Sequence, residues 1–153
     1  MKFTYAALAA VAAAEQMFDV STQVNKGPFP GVTTPLTFLQ TTGQDKFLCL
    51  LDQTFGDPDP PQLNSDCVFT VAGNPNLPLE IAQLEFICYL FGAKVYDEKF
   101  DQASPSAMPG TVWTSNVTFA VPPVAPSTEY DIEINGLDAD GSVIWTLTTA
   151  FNF

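Results

Sequence analysis

Any chemistry in this chain has to come from carboxylates, hydroxyls, three thiols and five lysine amines, because its 153 residues include no histidine and no arginine. Without an imidazole there is no Ser-His-Asp or Cys-His relay and no histidine-containing zinc site. Carboxylates are plentiful, with 17 Asp and Glu against five lysines (Lys2, Lys26, Lys46, Lys94 and Lys99) and a formal net charge of −12. Two carboxylates at the right separation can act as acid and base on a glycosidic bond. The acids available for this are Asp52, Asp57, Asp59, Asp66, Glu80, Glu85, Asp97, Glu98 and Asp101. Most stand in Pro-rich loops or beside lysines, where solvation accounts for them. Glu85 differs, since it interrupts the apolar run Leu84–Phe91, and an exposed position on an edge strand is the place expected for it. Asp57-Pro58-Asp59 with Asp66, and Asp138-Ala139-Asp140-Gly141, resemble pieces of calcium loops. Neither supplies the full ligand spacing with a closing Glu, and Asp and Gly are ordinary turn residues. The chain therefore reads as a non-enzyme with no catalytic residue, no metal and no cofactor.

The cysteines, Cys49, Cys67 and Cys88, allow one disulfide with one thiol over. Cys49 and Cys67 flank a Pro/Asp-rich loop and form one candidate pair, leaving Cys88. Cys67 with Cys88 is another, and three buried free thiols are a third possibility, because Cys packs as a small apolar residue. Asn116-Val117-Thr118 is a glycosylation acceptor, which requires Asn116 to point outward.

The charge balance excludes whole classes of partner. No basic patch exists to neutralise phosphates, so nucleic acid is not a partner. Anionic membrane surfaces repel such a chain. It is nevertheless no acidic disordered tail: 46% of its residues are hydrophobic and 14% charged, with 13 Phe, 4 Tyr and 2 Trp. A chain this apolar can bury a core.

The N-terminal residues follow the plan of a secretory signal peptide: Met1-Lys2, then the apolar run Phe3–Ala14 ending in small residues, with an Ala-x-Ala site at Ala12 and Ala14. This divides the chain into a signal peptide, 1–14, and a single domain, 15–153. The alternative is an Ala-rich helix that stays attached. The run is too short to span a bilayer, so stable membrane insertion is not expected. Cleavage after Ala14 would remove Lys2 and send the chain to a lumen or out of the cell.

Thirteen prolines in groups divide the remainder into strands, since proline lacks the donor a sheet interior needs. Trp113, Val117, Phe119 and Val121 share one face of a segment whose other face carries Asn116. Tyr130, Ile132 and Ile134 alternate with Asp131 and Glu133, the period of a half-buried strand. After the turn residues Asp138–Gly141, one face holds Val143, Trp145, Leu147, Thr149 and Phe151. Leu84–Phe91 is apolar on both faces and reads as a central strand, with Gly92 marking a bend or bulge. Leu36–Leu51 and Cys67–Ala72 supply further strands. About seven strands with turn signals predict an all-β sandwich of two antiparallel sheets, with a Greek-key barrel as the nearest alternative.

The C-terminal half, from about Leu79 to Phe153, resembles the ML lipid-recognition domain family, which includes Niemann–Pick-type sterol-transfer and phospholipid-transfer proteins. The resemblance lies in the order of elements. An apolar strand with a Gly leads into Lys94-Val95-Tyr96-Asp97. The strand Thr111–Val121 and the connection Val121-Pro122-Pro123-Val124-Ala125-Pro126 come next. Tyr130–Ile134 and the Asp/Gly turn before Val143-Ile144-Trp145 complete the order. The chain departs from the family in its cysteines: the last strand has none, and the loop Ala103–Pro109 lacks the usual pair.

The resemblance implies an immunoglobulin-like sandwich that is secreted or lumenal (endomembrane or lysosomal) and holds a sterol or acyl lipid between its sheets, without covalent chemistry. It also allows a membrane-protein or extracellular partner. The inward-reading residues Phe86, Leu90, Val95, Tyr96, Trp113, Val117, Phe119, Ile132, Ile134, Val143, Trp145 and Leu147 are then the candidate ligand-binding set. The competing expectation is a structural or adhesive sandwich with a filled core that assembles with protein partners. Periodicity cannot separate a filled core from a lined cavity, but an enclosed volume can.

Overall fold

The computed structural model describes residues 35–153. The signal segment 1–14, the start of the 15–153 domain and Lys26 lie outside the described residues. The described chain forms eleven strands and one 3-10 turn, Leu51–Gln53. The strands are β1 (Leu39–Thr42), β2 (Phe47–Cys49), β3 (Phe55–Asp57), β4 (Asp66–Pro75), β5 (Leu79–Glu80), β6 (Gln83–Leu90), β7 (Ala93–Asp101), β8 (Ser106–Ala107), β9 (Trp113–Ala120), β10 (Glu129–Leu137) and β11 (Val143–Asn152). Five make one antiparallel sheet in the order β1-β11-β10-β6-β7. In the second sheet β4 is central, with β9 along one side and β2 and β3 in succession along the other. β5 and β8 pair separately. The fold is the all-β sandwich that the alternation predicts.

Three local features differ from the sequence reading. Leu36–Leu51 is not one strand. A turn at Gly43 (φ 79°) divides it, so that β1 joins one sheet and β2 the other. Gln40 spans this crossing: its Nε2 donates to the carbonyls of Thr42 (3.0 Å) and Phe47 (2.7 Å), and its Oε1 accepts from the Cys49 amide (2.9 Å). One buried amide thus satisfies the side of β2 that faces away from β4. Secondly, Phe91 and Gly92 (φ 51° and 76°) are the two-residue turn joining β6 to β7, and the bulge lies at Cys88/Tyr89. Thirdly, Glu85 is not on an edge strand. β6 lies between β10 and β7, and Glu85 is held on the outer face by Asn135 Nδ2 (3.1 Å) and Lys99 Nζ (3.6 Å).

Aromatic rings join the two sheets. Phe47 of β2 stacks on Trp145 of β11, with ring centroids 5.3 Å apart and planes at 16°. Each ring rests on a glycine of its own sheet. A Cβ on Gly73 would stand 2.1 Å from the Phe47 ring, and one on Gly136 would stand 2.3 Å from the Trp145 indole. Further along, Phe86 of β6 meets Phe69 of β4 (5.1 Å) and Phe119 of β9 (5.0 Å), and Tyr96 of β7 meets Phe119 (5.2 Å).

Gly136→Ala and Gly73→Ala should each destabilise the chain by about 1–3 kcal/mol, the usual cost of overpacking, read as a lower urea midpoint. An unchanged midpoint would mean that the rings do not rest on these glycines.

Candidate functional site

Eleven of the twelve candidate residues face the interior and are buried. The exception is Val143, which is 50% exposed. The alternation that put it inward is interrupted: Leu137 pairs with Val143 but Gly136 with Trp145, leaving Ile144 as the extra residue of a bulge. Ile144 is buried in its place. Among the other eleven, Phe86, Tyr96 and Phe119 pack ring against ring.

The interior void lies at one end of the sandwich. It is lined by Cys88, Val95, Phe119, Pro122, Ala125, Tyr130, Phe151 and Phe153, and has room for about 10 Å³. That is about one water, against the several hundred Å³ of a lipid site. Val95 and Phe119 belong to the candidate set; the other six lining residues do not. The signal that could have found them is the register of the last hairpin, because Tyr130 pairs with both Leu90 and Phe151 at the end of the sheet.

The walls of this void differ from the rest of the core. Part of its cover is the connection from β9 to β10, which contributes Pro122 and Ala125, and part is the C-terminal Phe153. Tyr130, Phe151 and Phe153 make a three-ring plug with centroids 5.0–5.5 Å apart. The Tyr130 hydroxyl donates to the carbonyl of Pro126 (3.2 Å), tying the connection to β10. The amide of Asn64 donates to the Pro122 carbonyl (3.2 Å), and that of Val121 to the Ser65 carbonyl (3.0 Å), tying the same connection to the turn before β4. The segments at this end expose large apolar side chains: Leu63, Phe91 (63%) and Val124 (75%). Phe91 holds a left-handed backbone conformation that bulky residues rarely adopt.

A second concavity, open and about 380 Å³ in volume, crosses the outer face of the five-stranded sheet. Its residues include Leu39, Tyr89, Asp131, Glu133 and Thr148. Beside it, the buried Asn135 donates to Glu133 Oε1 (2.8 Å) and accepts from the Thr146 hydroxyl (2.8 Å). Glu133 is therefore part of a cross-strand polar network.

Asn116 is exposed on the outer face of β9, opposite Thr70. Among the described residues no group of three or more His, Cys, Asp or Glu could hold a metal ion. Asp138 serves its turn instead, its Oδ1 accepting from the amides of Asp140 (3.0 Å) and Ser142 (2.8 Å).

All three cysteines are free, buried thiols. Cys49 lies opposite Gly73, six residues along β4 from Cys67. That separation is about 20 Å of extended strand, well beyond the span of a disulfide. The Cys49–Cys67 pairing is therefore not made, and Cys67 Sγ instead donates to the Pro58 carbonyl (3.3 Å). Burial pushes each thiol from 9.0 up to about 12. At pH 8 the folded chain should resist iodoacetamide and the denatured chain should take up three labels. The unfolded thiols ionise near 9 and the folded ones near 12, so their contribution to stability is complete below pH 9 and lost as pH rises through this window. A denaturation midpoint that does not fall between pH 9 and 12 would contradict this burial.

No family model matches the chain, and no curated protein matches it. Among solved structures, chicken MD-1 complexed with lipid IVa is similar over 79% of this chain and 96% of its own, at 10% identity and a TM-score of 0.49. A Niemann-Pick type C2 protein from the Japanese carpenter ant is similar over 80% of this chain and 95% of its own, at 12% identity and a TM-score of 0.40. Both are ML-domain proteins, the family that the order of elements in this sequence resembles.

Proposed function

We propose that this chain binds an uncharged apolar ligand, a sterol or an acyl lipid, between its two sheets and performs no covalent chemistry on it. The observation that carries this reading is the apolar void under the β9–β10 connection, closed by a Pro-rich segment and by Phe153, which lies outside β11, rather than by paired strands. Strands resist opening because their backbone hydrogen bonds break together. Segments outside the strands, such as the Pro122–Pro126 connection and Phe153, can move at the cost of side-chain contacts alone. The closed form has no room for a lipid, so binding requires Phe153 and the Pro122–Pro126 connection to move outward. An acyl chain burying roughly 300 Å² of its surface gains about 7 kcal/mol before such costs. Exposed Leu63, Phe91 and Val124 give the same end an apolar rim over which a lipid could transfer. The reading also takes the chain to be secreted or lumenal, with cleavage after Ala14 and a glycan on Asn116. No helix among the described residues is long and apolar enough to cross a membrane.

A structural or adhesive module is the second reading, and the size of the void favours it: about 10 Å³ is no more than a scaffold's interior holds.

Native mass spectrometry with lipid extraction, on protein from its own source, separates the two. A defined sterol or acyl lipid at near one per chain supports carriage. Clean protein that also fails to take up a fluorescent sterol or fatty acid supports the module. Ala125→Trp, which fills the void from its half-exposed rim, should lower uptake at least tenfold with little change in melting temperature. Undiminished uptake would place the ligand elsewhere.

A further inference from the structure

The inner face of β11 carries one polar residue among apolar ones. Trp145, Leu147, Thr149 and Phe151 form its inward row, and Thr149 is 7% exposed. Its Oγ1 has no accessible surface and no hydrogen-bond partner among the described residues. Buried hydroxyls are almost always paired, and an unpaired one costs stability. Thr149 pairs across the sheet with Ile132, and Ile132 with Cys88, which lines the void. Phe151 and Tyr130, on the next rung, line it as well. The hydroxyl thus sits one rung further in than the void's wall, about 7 Å along the strand from Phe151. Ile132 and Thr149 also line the open outer groove, but the Thr149 hydroxyl has no surface accessible from that side. The other unpaired buried side-chain atom among the described residues, Trp145 Nε1, lies at the opposite end of the row, where it is covered by Gly136 and away from the void.

A ligand polar group that reaches this depth meets no positive charge, because Lys46, Lys94 and Lys99, the lysines among the described residues, are all exposed. A carboxylate or phosphate would be buried uncompensated. A hydroxyl or ester carbonyl would not, since a threonine hydroxyl both donates and accepts. The geometry points to Thr149 Oγ1 as the polar anchor of the interior site, and to a neutral lipid oxygen, that of an alcohol or an ester, as the group it selects. This rests on the interior-binding reading above and adds to it which end of the ligand goes in first and which ligands are refused.

The test uses three ten-carbon probes on the full chain: 1-decanol, decane and decanoate at pH 7.5. Thr149→Val keeps the side-chain shape and removes the hydroxyl, and Thr149→Ser keeps the hydroxyl. The valine variant should bind decanol about five- to tenfold more weakly than the unmodified chain, with decane binding unchanged or tighter. The serine variant should retain most of the decanol affinity, and decanoate should bind the unmodified chain more weakly than decanol does. The unliganded valine variant should melt at a higher temperature, because an unpaired polar atom has been removed. Decanol affinity equal in the unmodified chain and the valine variant would overturn the anchor while leaving the interior site standing, provided decane and decanol both bind. Failure of the unmodified chain to bind either would overturn the interior site and the anchor with it.

Discussion

The contact on which the sandwich depends is the stack of Phe47 on Trp145, seated between Gly73 and Gly136. Two large rings fit across a gap of ordinary inter-sheet width only because each faces a residue without a side chain. Sheets packed face to face stand about 10 Å apart, and two stacked rings over two ordinary side chains would force them wider. The stack also helps to fix β2, three residues long, together with its pairing with β4, the Gln40 amide and the edge of Trp113. Gln40 lies on β1, so the crossing from one sheet to the other is secured in the same region by an aromatic contact and by a polar one.

From that end the interior loosens towards the other. Phe69, Phe86, Phe119 and Tyr96 continue the ring contacts through the middle. Beyond them the sheets are bridged by Pro122, Ala125 and Phe153, which belong to no strand, and the void lies there. The sandwich is thus joined ring on ring at one end and covered at the other by residues outside the strands. Burial keeps the Cys88 thiol beside this void protonated, and its pKa near 12 leaves it an apolar wall residue rather than a nucleophile.

Much of the architecture is legible in the sequence because strand alternation is a local property. Trp113, Val117 and Phe119 face inward and Asn116 outward, as period two requires. The same alternation places Thr149 in a row with Leu147 and Phe151, so its inward position is readable. That its hydroxyl lacks a partner is not, since partners come from other strands. Val143 is misplaced for a related reason: the bulge at Ile144 depends on how β11 meets β10. The short strands β3, β5 and β8 are invisible because two or three residues carry no period. The walls of the void are hardest to read, as Pro122, Ala125 and Phe153 look like connection and chain end until the fold brings them over the core.

The central claim is that an apolar guest enters at the Tyr130–Phe151–Phe153 end and lies between the sheets. It is tested most directly by following the amide and methyl NMR signals of the chain while decane is added. The account predicts shifts concentrated at Cys88, Val95, Phe119, Ala125, Tyr130 and Phe151, spreading to Thr149, with little change at Leu39 or Asp131 on the outer face. Shifts confined to the outer groove, or none at saturating decane, would contradict it and leave the filled sandwich as the better description of the molecule.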